Sequence, residues 1–224
     1  MILSFFEKIK NFVKKIYDFI FPKKCISCKM EGFNLCKKCL KKIPSCEKMK
    51  EDWIISIWSY KDGIIKKAIW LIKFKSRYSI LEDLEDEISD AITSEVYDRQ
   101  ISDNFTNPVL IPIPMFHKKL KKRGYNQSEL IADLIYKKHK DIFSKDFNSL
   151  RKIKNTGEQN KITQRRRRFE NIRGCFQVIN KEKIKNKNII LIDDITTTHA
   201  TLLEAKRVLE KSGARKVLAF TIAH

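Results

Sequence analysis

The stretch Asn188-Ile189-Ile190-Leu191-Ile192-Asp193-Asp194-Ile195-Thr196-Thr197-Thr198-His199-Ala200-Thr201 decides the fold. Its short apolar run reads as a buried strand, and the two adjacent carboxylates fall at the strand's C-terminal end, where open α/β sheets bind their ligands. A run of hydroxyls then leads into a helix over residues 201–211, which Gly213 stops. Such a turn offers backbone N–H groups and threonine oxygens at the positive end of a helix dipole, a setting for a phosphate monoester. The carboxylates upstream are placed to accept hydrogen bonds from a sugar diol and to approach a Mg²⁺ shared with pyrophosphate. The plainer reading is that Asp194 and the threonines cap the helix.

Working outward, the pattern predicts strands over residues 53–60, 109–113 and 217–222, with a short one near 147–151. Helices are predicted over 63–75, 80–97 and 127–139. Strands alternating with helices imply an α/β fold, a mostly parallel twisted sheet with helices on both faces. The polar, basic stretch 152–173 lacks apolar periodicity and reads as a loop. None of the six glycines is followed by Lys, and their spacing fits no GxGxxG, so both common nucleotide-binding loops are excluded.

Near the N-terminus, Cys25-x2-Cys28 and Cys36-x2-Cys39 form two knuckles close enough to converge on one tetrahedral zinc ion. Four thiolates saturate zinc, so the implied role is structural. Free thiols or a disulfide pair are the alternatives, and no secretory signal points to an oxidising compartment. Cys175, beside Phe176, reads as a small buried hydrophobe. Before the cysteines, Phe5, Ile9, Phe12, Ile16 and Ile20 recur at helical spacing with lysines opposite, an amphipathic helix expected to pack on the protein itself. No stretch is apolar enough to span a bilayer, and a cytoplasmic location is expected. The division expected is 1–48, helix and ribbon, and 49–224, the α/β domain.

The formal net charge is +20, so polyanions are the expected partners. Lys118, Lys119, Lys121, Lys122, Arg123 and the run from Arg165 to Arg168 flank the proposed pocket in sequence. They could clamp pyrophosphate, steer single-stranded nucleic acid or be solvated. Trp53, Trp58 and Trp70 are expected in the core.

Several segments together resemble the ComF (ComFC/GntX-type) competence family, and the Asp-Asp-Thr turn resembles the phosphoribosyl pyrophosphate (PRPP) loop of type I phosphoribosyltransferases. Pro112-Ile113-Pro114 with Arg123-Gly124-Tyr125-Asn126-Gln127-Ser128 resembles that family's PxP and RGFNQ segments. Arg167, Arg168, Asn171, Gly174 and Phe176, the lysine-bearing stretch 71–75 and the N-terminal cysteines also fit. The resemblance implies a phosphoribosyltransferase-like fold that binds PRPP with Mg²⁺ and serves DNA uptake, either as a transferase of unknown acceptor or as a non-catalytic module. Single-stranded DNA and a competence helicase are the implied partners. By position, Asp193 and Asp194 would meet the ribose hydroxyls. Thr196, Thr197, Thr198, His199, Ala200 and Thr201 would hold the 5′-phosphate, with Arg123, Gly124, Tyr125, Asn126 and Gln127 near the pyrophosphate. Two departures stand out. His199 replaces the loop glycine, where a Cβ costs about 1 to 2 kcal/mol and the imidazole is expected to donate to phosphate. Of a further CxxC often seen in the ribbon only Cys46 remains.

Overall fold

The computed structural model describes residues 22–47, 49, 51–156 and 171–224. The segment 3–20 and the run from Arg165 to Arg168 lie outside the described residues.

Five parallel strands form the main sheet, in the order β1-β7-β6-β2-β3. They are β1 (Ile54–Trp58), β2 (Val109–Pro112), β3 (Ser144–Lys145), β6 (Asn188–Ile195) and β7 (Lys216–Ala223). β4 (Leu150–Lys152) and β5 (Phe176–Val178) pair antiparallel as a separate ribbon. β6 is central because it is apolar on both faces, and side-chain alternation sends its residues to two cores. Ile190 and Ile192 join Leu110, Leu218 and Phe220 in one, while Ile189 and Leu191 join Val109, Ile111 and Val217 in the other.

Helices cover both faces. The first core is closed by α2 (Gly63–Lys75), α3 (Ile80–Asp83), α4 (Glu85–Asp103) and α6 (Gln127–Lys138), through Ile65, Ile69, Ile80, Ile88, Ile131 and Ile135. The second is closed by α7 (Ala200–Lys211), through Leu202, Ala205 and Leu209, and by the β4–β5 ribbon, through Leu150, Phe176 and Val178. Cys175 is fully buried there, as its sequence context suggests. α1 (Lys37–Leu40) and α5 (His117–Arg123) are shorter helices.

Topology fixes the site. From β2 the chain runs through α6 to β3 at one edge, whereas from β6 it runs through α7 to β7 on the opposite side. β2 and β6 are neighbours in register, Val109 beside Ile189 and Pro112 beside Ile192. Their onward connections therefore diverge and open a crevice beyond their C-terminal ends, the switch point of such sheets.

The cysteine ribbon is not loosely tethered. Its Cys25, Ile26, Leu35, Leu40 and Ile43 share the first core with Ile65 and Ile69. The Asp83 carboxylate accepts hydrogen bonds from the backbone N–H groups of Asn34 and Leu35, at 2.8 and 3.1 Å. Arg77 donates to the Asn34 side chain at 3.0 Å, and Lys67 to the Ile26 carbonyl at 3.0 Å.

Two expectations need correction. Trp58 is buried and Trp53 half-buried, but Trp70 stands 48% exposed on α2. Its helix turns Ile65, Ala68, Ile69 and Ile72 to the core, which leaves position 70 facing outward. Residues 117–123, unassigned from sequence, are helical, closed by Gly124 at φ 84°.

Candidate functional site

The crevice has a volume of about 600 Å³. Its floor is the C-terminal end of β6, where Asp193 and Asp194 emerge, and its walls come from the segment after β2 and the starts of α6 and α7. Lys73, Lys118, Lys119, Lys122, Arg123 and Lys152 line it, six cations around two carboxylates. A cavity with that balance fits a ligand carrying several negative charges and a few hydroxyls.

The segment after α5 carries its residues to the aspartates. Gly124 adopts the left-handed conformation that lets the chain reverse, and Tyr125 anchors the reversal by donating to the Ile72 carbonyl. Asn126 caps α6, accepting from the Ser128 N–H at 3.1 Å while its amide donates to the Ile113 carbonyl at 3.1 Å. Gln127 then donates to Asp194 at 3.0 Å, and the Ser128 hydroxyl to Asp193 at 2.9 Å. Arg123 donates to the Gln127 side-chain oxygen at 2.8 Å. So Arg123, Asn126 and Gln127 line the crevice, while Gly124 and Tyr125 shape the turn that puts them there.

Asp194 is buried and also meets Lys73 Nζ at 2.9 Å. Among the described residues, Asp193 shares no such pair. Burial, then the adjacent Asp194 charge, push its carboxyl up to about 7, against the opposing pull of Lys73, the Asp194 N–H and the Ser128 hydroxyl.

The hydroxyl run is spread around its turn. Thr196 is buried and its N–H donates to the Ala223 carbonyl at 3.1 Å, Thr197 is exposed, Thr198 is half-buried, and Thr201 lines the crevice. His199 precedes α7 at φ 58°, the left-handed region that favours glycine and that His tolerates at modest cost. Its imidazole does not line the crevice. It packs against His224, with ring centroids 4.9 Å apart, and its Nδ1 lies 3.4 Å from a Glu51 carboxylate oxygen. A ring held there cannot donate directly into the crevice, so the phosphate-donor role expected of it has no geometric support. Ala200 is buried at the first turn of α7. Glu204, one turn on, accepts from the Gly174 N–H at 2.7 Å and pairs with Arg207, whose hydrogen bond holds its carboxyl below the usual range.

Two crevice residues absent from the sequence-derived set are Ser128 and Lys73. Ser128 follows Gln127 directly, and Lys73 lies in the lysine-bearing stretch 71–75, but both reach the aspartates across distances in the chain that no local pattern encodes.

In the ribbon, the ligand atoms of Cys25, Cys28, Cys36 and Cys39 all lie within 4.8 Å of one another. That is the donor set of a tetrahedral zinc site. Although burial raises the Cys25 thiol, backbone N–H donors of Cys36, Cys28 and Ser27 hold it down to about 6, while against a Cys39 backbone hydrogen bond burial and the neighbouring sulfurs push the Cys36 thiol up to about 11. Cys46 stands apart, its sulfur 3.9 Å from that of Met49.

No protein-family model matches the chain. Competence protein F of Haemophilus influenzae is 26% identical over 189 residues, 84% of this chain and 77% of that protein. Competence protein ComFC of Bacillus subtilis is 28% identical over 168 residues, 75% of this chain and 62% of ComFC. Over most of its length the chain is thus similar to competence proteins of the ComF type. DNA utilization protein YhgH of Escherichia coli is also similar, 22% identical over 183 residues, 81% of this chain and 74% of that protein. Among solved structures, a hypoxanthine phosphoribosyltransferase from Staphylococcus aureus matches 62% of each chain with TM-score 0.37 and 17% identity. At that distance the likeness says nothing about activity. Among the described residues, no helix is long and apolar enough to cross a membrane.

Proposed function

We propose that this ComF-type chain binds PRPP in the β2/β6 crevice and acts in DNA uptake as a phosphoribosyltransferase whose acceptor is unidentified. The observation that carries this reading is the pair Asp193 and Asp194 at the strand end, facing six cations in one cavity. A phosphosugar with a pyrophosphate leaving group presents a diol to the acids and several phosphate charges to the cations. In this reading Asp194, oriented by Gln127 and Lys73, accepts from one ribose hydroxyl, and Asp193, oriented by Ser128, from the other. Thr201 and the N–H groups opening α7 take the 5′-phosphate, while Lys119, Lys122 and Arg123 take the pyrophosphate. Departure of pyrophosphate leaves an oxocarbenium-like sugar, and positioning with fixed charge supplies the catalysis.

Mg²⁺ fits this donor set. Asp193 and Asp194 offer hard oxygens, and Mg²⁺ favours one or two carboxylates combined with substrate phosphates. Bound, it would neutralise phosphate charge. In the ribbon, Cys25, Cys28, Cys36 and Cys39 would hold zinc as a cross-link with no open position. The names of the relatives and the +20 charge favour a second reading, a non-catalytic module that binds nucleic acid or a helicase with the same fold.

Pyrophosphate release from PRPP separates the two. The transferase reading expects release that Asp194→Asn abolishes while the variant keeps its fold by circular dichroism. No release from the parent, with salt-sensitive DNA binding indifferent to Asp194→Asn, favours the module.

A further inference from the structure

A groove of about 270 Å³ lies where α3 and the start of α4 meet α6, and it shares no lining residue with the crevice. Its apolar lining is Tyr78, Leu81, Leu130 and Leu134. α6 turns Ile131, Ala132 and Ile135 into the first core, which leaves Leu130 and Leu134, one turn apart and half-buried, as a second stripe beside them. Tyr78 stands 53% exposed at the groove. Around this apolar seam sit three carboxylates, Glu82, Glu85 and Asp133, and one lysine, Lys137. Asp133 meets Lys137 at 2.7 Å and also Lys145. Glu82 meets Lys23 Nζ at 3.3 Å.

That last pair says where the chain comes from. Lys23 is the second described residue, so the described chain starts at the rim of this groove. The residues just before it carry an apolar stripe of their own. Phe5, Ile9, Phe12, Val13, Ile16 and Ile20 fall on one helical face, with Lys10, Lys14 and Lys15 on the other. As a helix, residues 3–20 would reach roughly 27 Å at 1.5 Å per residue, against roughly 18 Å for α6, so the segment is long enough to cover the groove from end to end. Such a helix is marginal alone in water and gains its stability by burying its apolar face. A seam of matching character, flanked by acids, lies at the point where the segment joins the described chain.

We infer that residues 3–20 dock as a helix in the α3–α4–α6 groove, with their apolar face on Tyr78, Leu81, Leu130 and Leu134 and their lysines toward Glu82 and Glu85, and so brace the crevice from behind. The brace runs through two rings. Tyr78 meets Tyr125 near edge-on, with centroids 5.9 Å apart, and Tyr125 anchors the turn that carries Arg123, Asn126 and Gln127 to the crevice. Covering Tyr78 holds that contact in place. The inference rests on the groove and on the sequence before it, and it stands whether or not the crevice takes a phosphosugar.

The test is hydrogen–deuterium exchange on the intact chain in buffer without lipid. Amides of residues 5–20 exchange at least about tenfold more slowly than in a free peptide of the same sequence, more than an isolated helix provides. Leu134→Asp returns them to within about twofold of the peptide. The double variant Phe12→Asp/Ile16→Asp does the same without touching the described core, and it also speeds exchange across residues 130–137 and 123–127, so the readout survives if Leu134→Asp fails to fold. Exchange of residues 5–20 at the peptide rate in the parent overturns the inference, as does a folded Leu134→Asp variant that keeps them protected. Residues 130–137 that do not respond to the double variant overturn the groove as the docking site, and an unresponsive 123–127 overturns the brace. Protection that is lost on dilution together with a dimer seen by light scattering assigns the groove to a second copy instead, and protection that arises only with anionic vesicles assigns the segment to a lipid surface; either result overturns the inference.

Discussion

In the ribbon, four donors of one kind converge on a point and leave nothing over, whereas in the crevice charges of both signs line an open space. Both clusters are positioned by short loops with left-handed residues, Lys29 and Gly32 in the ribbon, Gly124 and His199 at the crevice. Convergence makes a cross-link, and divergence makes a ligand site. The ribbon should therefore respond to mutation through stability, and the crevice through binding.

The largest effect expected is loss of the cross-link. Cys39→Ser, or a strong chelator, removes metal-linked folding energy on the order of 10 kcal/mol. Because the ribbon shares the first core, thermal melts should show the whole chain destabilised, and a ribbon that melts alone would divide the molecule as the 1–48 and 49–224 boundary implies. Next is Asp194→Asn, which strands Lys73 in a half-buried position and costs about 3–5 kcal/mol. Adding Lys73→Met should restore the melting temperature without restoring PRPP binding, and recovery of both would mean that the carboxylate serves only the fold.

A pH effect follows from Asp193. Its carboxyl sits at about 7 in the folded protein, above its ordinary value of 3.8. The folded state therefore binds the proton more tightly than the unfolded chain does. Asp193's contribution is fully present below the ordinary value and is lost as pH rises through 7. Melting temperatures of the ligand-free protein should fall over that window, and Asp193→Asn should flatten the profile. The smallest effect belongs to the latch between the two regions. Asp83→Ala leaves two ribbon N–H groups without their acceptor and should cost about 1–3 kcal/mol by chemical denaturation, with PRPP binding unchanged.

The strand 188–192 and the helix after it were legible because apolar runs and caps are local signals. What the sequence did not mark were features set by neighbours. β6 continues through Ile195 because Asp193 and Ile195 pair with Thr221 and Ala223 on β7. α4 reaches Asp103, beyond the apolar pattern, where Arg99 pairs with Glu95 and Asp103 on the same face. α5 has no buried residue and so no apolar stripe to read. Among crevice residues, the aspartates and the segment from Arg123 to Gln127 stood out through spacing and resemblance. Lys73 entered only as part of the lysine-bearing stretch 71–75, and its role did not show, since its partner Asp194 is brought to it only by the sheet. His199 illustrates the reverse case. Its position in the loop was plain, but the direction of its ring depends on Glu51 and His224, which are remote in the chain.

Isothermal titration of Mg²⁺·PRPP into zinc-loaded protein tests the central claim most directly. The account predicts a magnesium-dependent, micromolar signal in the parent that disappears in the folded Asp194→Asn/Lys73→Met variant. A parent that gives no heat, or a variant that binds as tightly as the parent, would contradict it.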